Sequence, residues 1–100
     1  MRAGDEMKKA MIYDAAEFLE TDEDIVAYLN AALDDGDPAL VSAALGDIAR
    51  ARGMTQLAKD TGITRDGLYK ALSPTGNPSF GTVQKVVKAL GYKLDVVLPA

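Results

Sequence analysis

Hydrophobic positions recur at helical spacing along most of the chain and at strand spacing only near its end. In "TDEDIVAYLNAALDDG", Ile25, Leu29 and Leu33 repeat every four residues, the stripe of an amphipathic helix. Thr21 is placed to cap its first turn, and Asp24 to answer it from the third helical position, the pairing of a capping box. Gly36 can end that helix in a left-handed conformation. "DPALVSAALGDIARARG" starts afresh, with Asp37 as N-cap and Pro38 at the first helical position. Its stripe is Leu40, Val41, Ala44, Leu45, Ile48 and Ala49; Arg50 and Arg52 fall in the last turn and Gly53 follows. Upstream, "YDAAEFL" reads as a short helix with Ala15, Phe18 and Leu19 inward.

Two shorter helices, about Thr55–Thr61 and Thr64–Leu72, fit "MTQLAKDTGITRDGLYKALS". Ala58 is small where two helices cross closely, and Gly62 supplies the positive φ that the turn between them needs. Leu57, Ile63, Leu68 and Ala71 provide the apolar contacts. Thr64 caps the second helix and leaves Arg65, Asp66, Tyr69 and Lys70 outward. This is the helix-turn-helix pattern, whose second helix enters the major groove of DNA. The bland reading is an inert helical hairpin, and the local basic surplus weighs against it.

The spacing suggests roles. Arg65 and Lys70 carry donors suited to guanine edges or phosphates. Asp66 either accepts from cytosine or complements the helix N-terminus. Tyr69 touches a thymine methyl or a phosphate, or packs half-buried. Thr55 and Gln56 open the preceding helix, where backbone amides can hold a phosphate. Thr75, Asn77 and Ser79 stand in or beside the loop "SPTGNPS" and can grip the next one. Ser79 also caps a further helix through Leu90, with Phe80, Val83, Val86, Val87 and Leu90 inward and Gly91 closing it. Lys85 and Lys88 read as a solvated face.

At the end, "YKLDVVL" alternates Leu94, Val96 and Leu98 with polar residues, a strand pattern over about 93–98. A lone strand needs a partner: its own copy in a dimer, another protein, or the chain's own "KKAMIY", with the dimer favoured. The fold class expected is therefore mainly α with a short C-terminal β-strand. Residues 1–12 read as irregular, and 13–100 as one helical domain with the helix-turn-helix at 54–73.

Charge changes the picture more than composition does. The 100 residues carry a net charge of −4, yet residues 1–49 hold 3 basic against 12 acidic side chains, and residues 50–100 hold 8 against 3. The acidic half contains Asp22, Glu23, Asp24, Asp34 and Asp35; the basic half contains the helix-turn-helix. With no cysteine and no histidine, the chain lacks the commonest nucleophile, general base and metal ligands, so no enzyme, metal site or cofactor is expected. No apolar run approaches the roughly 20 residues of a membrane span, and no signal peptide is evident, so a cytoplasmic protein is expected.

From Tyr13 to Gly91 the chain resembles the HigA-like addiction-module antidotes (antitoxins) within the lambda-repressor-like, Xre-type helix-turn-helix proteins. The junction "GDIARARGMTQLA" and the stretch "LYKALSPTGNPSF" carry the resemblance most specifically. It implies a bacterial protein encoded beside a small, basic toxin of the RelE/ParE-like group. Such an antidote binds and silences the toxin and represses their shared promoter; because a single helix-turn-helix reads only a few base pairs, a homodimer on palindromic operator DNA is expected. The acidic half then suits the basic toxin, with Asp22, Glu23, Asp24, Asp34 and Asp35 as candidate contacts; the alternative is that these acids serve caps and solubility. The competing function is a stand-alone phage-like transcriptional repressor without a toxin.

Overall fold

A computed structural model of the chain describes residues 15–99. The irregular segment expected over residues 1–12 lies outside the described residues. A 3-10 turn, Ala15–Phe18, leads into five α-helices: α1 (Asp22–Asp35), α2 (Pro38–Arg52), α3 (Met54–Thr61), α4 (Arg65–Ala71) and α5 (Phe80–Ala89).

The helix boundaries follow from side chains near each end. Thr21 Oγ1 accepts from the Asp24 amide at 3.1 Å, and Asp24 Oδ2 accepts from the Thr21 amide at 3.2 Å. This closes the capping box that opens α1. Gly36 ends α1 at φ 87°. Asp37 then caps α2 through the Ala39 amide, 3.0 Å away, with Pro38 filling the first turn.

α2 is the central helix, contacting the 3-10 turn, α1, α3 and α4, while α3 also packs on α5. Leu45 and Ile48 of α2, Leu68 of α4 and Val86 of α5 are fully buried and form the middle of the core. Leu19, Ile25, Met54, Leu57, Leu72, Val87 and Leu90 surround them. Gly46 of α2 lies against the Leu72 carbonyl so closely that a Cβ there would stand 2.1 Å from its oxygen. α1 is tied to α2 by the Tyr28 hydroxyl, which donates to Asp47 at 2.5 Å; Arg50 pairs with the same carboxylate.

Several positions differ from the sequence pattern. Phe18 and Phe80, expected inward, are 62% and 68% exposed, and Leu33 and Leu40 at the edges of their stripes are also exposed. The C-terminal β-strand does not form: among the described residues there is no strand, and residues 93–99 run without regular structure. The alternation is present, but no second strand satisfies the backbone groups that a ladder requires. The fold is mainly α without the strand.

Candidate nucleic-acid interface

The turn between α3 and α4 is built by local hydrogen bonds. Gly62 adopts φ 75° and its amide bonds to the Ala58 carbonyl. The Thr61 hydroxyl donates to the Leu57 carbonyl at 2.8 Å and accepts from the Ile63 amide at 3.2 Å. Thr64 caps α4 by accepting from the Gly67 amide at 3.0 Å. Ile63 packs on the core and Leu68 is buried in it, so the hydrophobic side of α4 fixes which face looks outward.

That outward face carries Arg65, Asp66, Tyr69 and Lys70, all exposed. The Arg65 guanidinium lies over the Tyr69 ring, 5.7 Å from its centroid, with an Nη2–Oη separation of 3.4 Å. Stacking limits the rotamers of the guanidinium while leaving most of its five donors free. Asp66 stands in the first turn of α4 and Lys70 in its last, each where the helix dipole favours its charge.

Thr55 and Gln56 stand exposed in the first turn of α3, which begins at Gly53 without a side-chain cap. Gln56 is held along the helix by donating to Asp60 at 2.9 Å. The loop after α4 folds back over that helix. The Gly76 amide bonds to the Ser73 carbonyl at 2.9 Å, and a Cβ at Gly76 would stand 2.3 Å from the Ala71 carbonyl oxygen. Thr75 and Ser73 bring their hydroxyls within 3.4 Å, and Asn77 is exposed. Ser79 caps α5, accepting from the Thr82 amide at 3.1 Å. The structure thus gives Thr64 and Ser79 structural duties as caps, and leaves Arg65, Tyr69, Lys70 and Asn77 presented to solvent.

The acidic candidates separate in the same way. Asp24 is spent on the α1 cap, and hydrogen bonds from the backbone of Thr21 and Glu20 and from the Thr21 hydroxyl hold its carboxyl below the usual carboxylate range. Asp22 is engaged within the chain, accepting from the Tyr92 hydroxyl at 2.6 Å and from Arg52 at 3.2 Å. Glu23, Asp34 and Asp35 are exposed. Asp34 and Asp35 stand in the last turn of α1, where the dipole disfavours acids.

Sequence reasoning missed the cluster that Asp22 joins. Arg52 donates to the Tyr92 hydroxyl at 2.7 Å and lies 5.5 Å from its ring centroid. The trio joins the start of α1, the end of α2 and the segment after α5. Desolvation, followed by the bond to Asp22, pushes the Tyr92 phenol above its ordinary pKa, and Arg52 opposes the shift. The partners are 40 and 70 positions from Tyr92, and no local pattern announces them.

No helix among the described residues is long and apolar enough to cross a membrane. No solved structure matches the chain. An uncharacterized protein of Haemophilus influenzae (strain Rd) is 56% identical over 84 residues, which is 84% of this chain and 87% of the relative. The model of a family described as "Probable addiction module antidote protein" matches residues 9–98. With nearly its whole length matched, the chain belongs to that family of addiction module antidote proteins.

Proposed function

We propose that the protein is a HigA-like, Xre-type antitoxin of a two-gene addiction module, with two binding faces. It neutralises a small toxin of the RelE/ParE-like group by direct contact. It also represses the promoter of its own module by using α3 and α4 as a helix-turn-helix, two copies binding a palindromic operator. The family match carries the antidote reading. The observation that supports DNA binding is the exposed Arg65–Tyr69–Lys70 face of α4, held outward by the buried Leu68.

In this reading α4 lies in the major groove, where Arg65 reads a base edge or meets a phosphate, and Lys70 neutralises the backbone. Asp66 accepts from cytosine, or complements the amides at the start of α4. Tyr69 positions Arg65 and presents its hydroxyl to a phosphate. Thr55 and Gln56 bring the uncapped start of α3 to the backbone on one side. Thr75, Asn77 and Ser79 approach it on the other; Thr64 can contribute its hydroxyl proton while its oxygen caps α4, whereas the Ser79 hydroxyl donates to Thr82 Oγ1 at 3.1 Å and must turn from it to meet a phosphate. Glu23, Asp34 and Asp35 form the acidic surface offered to the toxin; Asp22 and Asp24 add charge from within their hydrogen bonds. Asp34 and Asp35 stand against the α1 dipole, a cost that a basic partner surface would offset.

The test is a binding titration of the full chain on the DNA upstream of its own gene, together with co-purification with the protein encoded beside it. Specific binding should weaken with salt at a slope of about −0.9 in log K against log salt for each phosphate neutralised. A flat salt response refutes the DNA half. Operator binding without a toxin in the neighbouring gene identifies a stand-alone repressor instead.

A further inference from the structure

The segment after α5 lies between two grooves, with Lys93 lining both and Asp95 lining the one beside α1. On one side Val26, Asn30 and Leu33 of α1 face Leu94 and Val97 across a groove of about 290 Å³. On the other, Lys85 and Lys88 of α5 and Lys93 line a groove of about 580 Å³. Val87, Tyr92, Lys93 and Leu94 border both, so the segment is a shared ridge. The flank beyond the first groove is acidic. Glu23 shares a depression with Val26, Ala27 and Asn30, Asp34 follows Asn30 by one helical turn, and α1 contains no basic residue. The crest of the ridge is apolar and uncovered, with Val96 96%, Val97 76% and Leu98 91% exposed.

We infer that this ridge and its two flanks are the contact face for a second copy of the chain. A two-fold axis running along the ridge sets the acidic α1 of each copy over the lysine-bearing α5 of the other. It also brings the two crests together, so that Val97 and Leu98 leave water against their own equivalents. An isologous contact must be self-complementary, and this face carries both halves of the charge match on one surface. An axis across the ridge would instead oppose α1 to α1, acid against acid, which electrostatic complementarity disfavours. The inference rests on the two-copy reading of the proposed function and assigns its face by side-chain charge and apolar contact, with no paired backbone; because it takes Glu23 and Asp34 into the contact between copies, a toxin engaging those same acids competes with the second copy.

The test uses the full chain without DNA or toxin, so failure of either proposed binding activity leaves its outcome readable. Sedimentation should show a dimer for the wild type. Reversing the α5 flank with Lys85→Glu and Lys88→Glu should weaken it roughly tenfold or more, as should Val97→Asp on the crest. Because these side chains are exposed, the helical circular dichroism should not change. Adding Glu23→Lys and Asp34→Lys to the reversed α5 should restore the dimer, since each reversed flank again meets its opposite. A monomeric wild type overturns the inference and leaves the face to residues 1–14 or to another protein. Flank reversal without effect, or a fourfold variant that stays monomeric, overturns the arrangement about the ridge axis.

Discussion

Replacing Gly46 by alanine sets two physical effects against each other, and the structure decides between them. Gly46 is in the middle of α2, where alanine is intrinsically favoured by about 1 kcal/mol. The added Cβ, however, would stand 2.1 Å from the Leu72 carbonyl oxygen and 3.2 Å from its carbon. Carbon contacts ordinarily begin near 3.5 Å, so the approach is too close by more than 1 Å. The obstacle is backbone and cannot rotate away, so the end of α4 must move off α2. Overpacking costs about 1–3 kcal/mol, and a clash with main chain belongs at the upper end. The net loss expected is about 2 kcal/mol, or roughly 8–16 °C in Tm for a domain of this size. Denaturant and thermal unfolding of Gly46→Ala against wild type measure it. A functional readout accompanies it, because displacing Leu72 tilts the helix that carries Arg65 and Lys70, so operator affinity should fall as well. A variant as stable as wild type, or more so, would show that propensity dominates and that α2 and α4 do not meet at this distance.

Three further outcomes test other parts of the molecule. Arg65→Ala should lose about 1–3 kcal/mol on the operator and relax preference at one base position; equal weakening on random DNA makes Arg65 a phosphate contact. Because the carboxyl of Asp24 titrates lower in the folded chain than in the unfolded one, its stabilisation is present above the ordinary carboxylate pKa and lost as pH falls through the folded value. Asp24→Asn should therefore flatten the acid limb of stability against pH, and an unchanged limb refutes the assignment. Tyr92 has a raised pKa, so its contribution is complete below the ordinary phenol value near 10 and declines as pH rises above it. Tyr92→Phe should cost roughly 1 kcal/mol or less near neutrality and remove that alkaline decline; a decline that persists means another group causes it.

What was legible in the sequence was local. Thr21 with Asp24, Asp37 with Pro38, Thr64 and Ser79 act within three residues of themselves, and their caps appear where the spacing places them. Gly36 and Gly62 take the positive φ expected of them. Periodicity located the apolar stripes but not their edges: Leu45 and Ile48 are buried, while Leu40 on the same stripe is not. A stripe records which way a helix faces, whereas its edge is set by how far neighbouring helices reach, and a chain of this length has few neighbours to offer. The strand failed for a related reason. Alternation over Leu94, Val96 and Leu98 is a property of the segment, but a ladder belongs to a pair. The Asp22–Arg52–Tyr92 cluster was invisible because it is assembled only when α1, the end of α2 and the segment after α5 meet.

The uneven charge takes on a spatial meaning once α2 is placed. α1, with its five acids and no base, packs on α2; α4, with Arg65 and Lys70, packs on α2 and α3. The helix that both touch is about 10 Å wide with its side chains, which is close to the Debye length of about 10 Å at 0.1 M salt. Across that distance the field of the acids is substantially screened in physiological salt, so the net charge of −4 would not govern an approach of α4 to the phosphates proposed for it. Arg52 of α2 pairs with Asp22 at the start of α1, and that bond offsets one of the five acids of α1. Glu23 and Asp34 remain exposed on α1. An acidic protein can thus carry a DNA-reading face without contradiction, provided the two charge sets stand on different helices with a third between them.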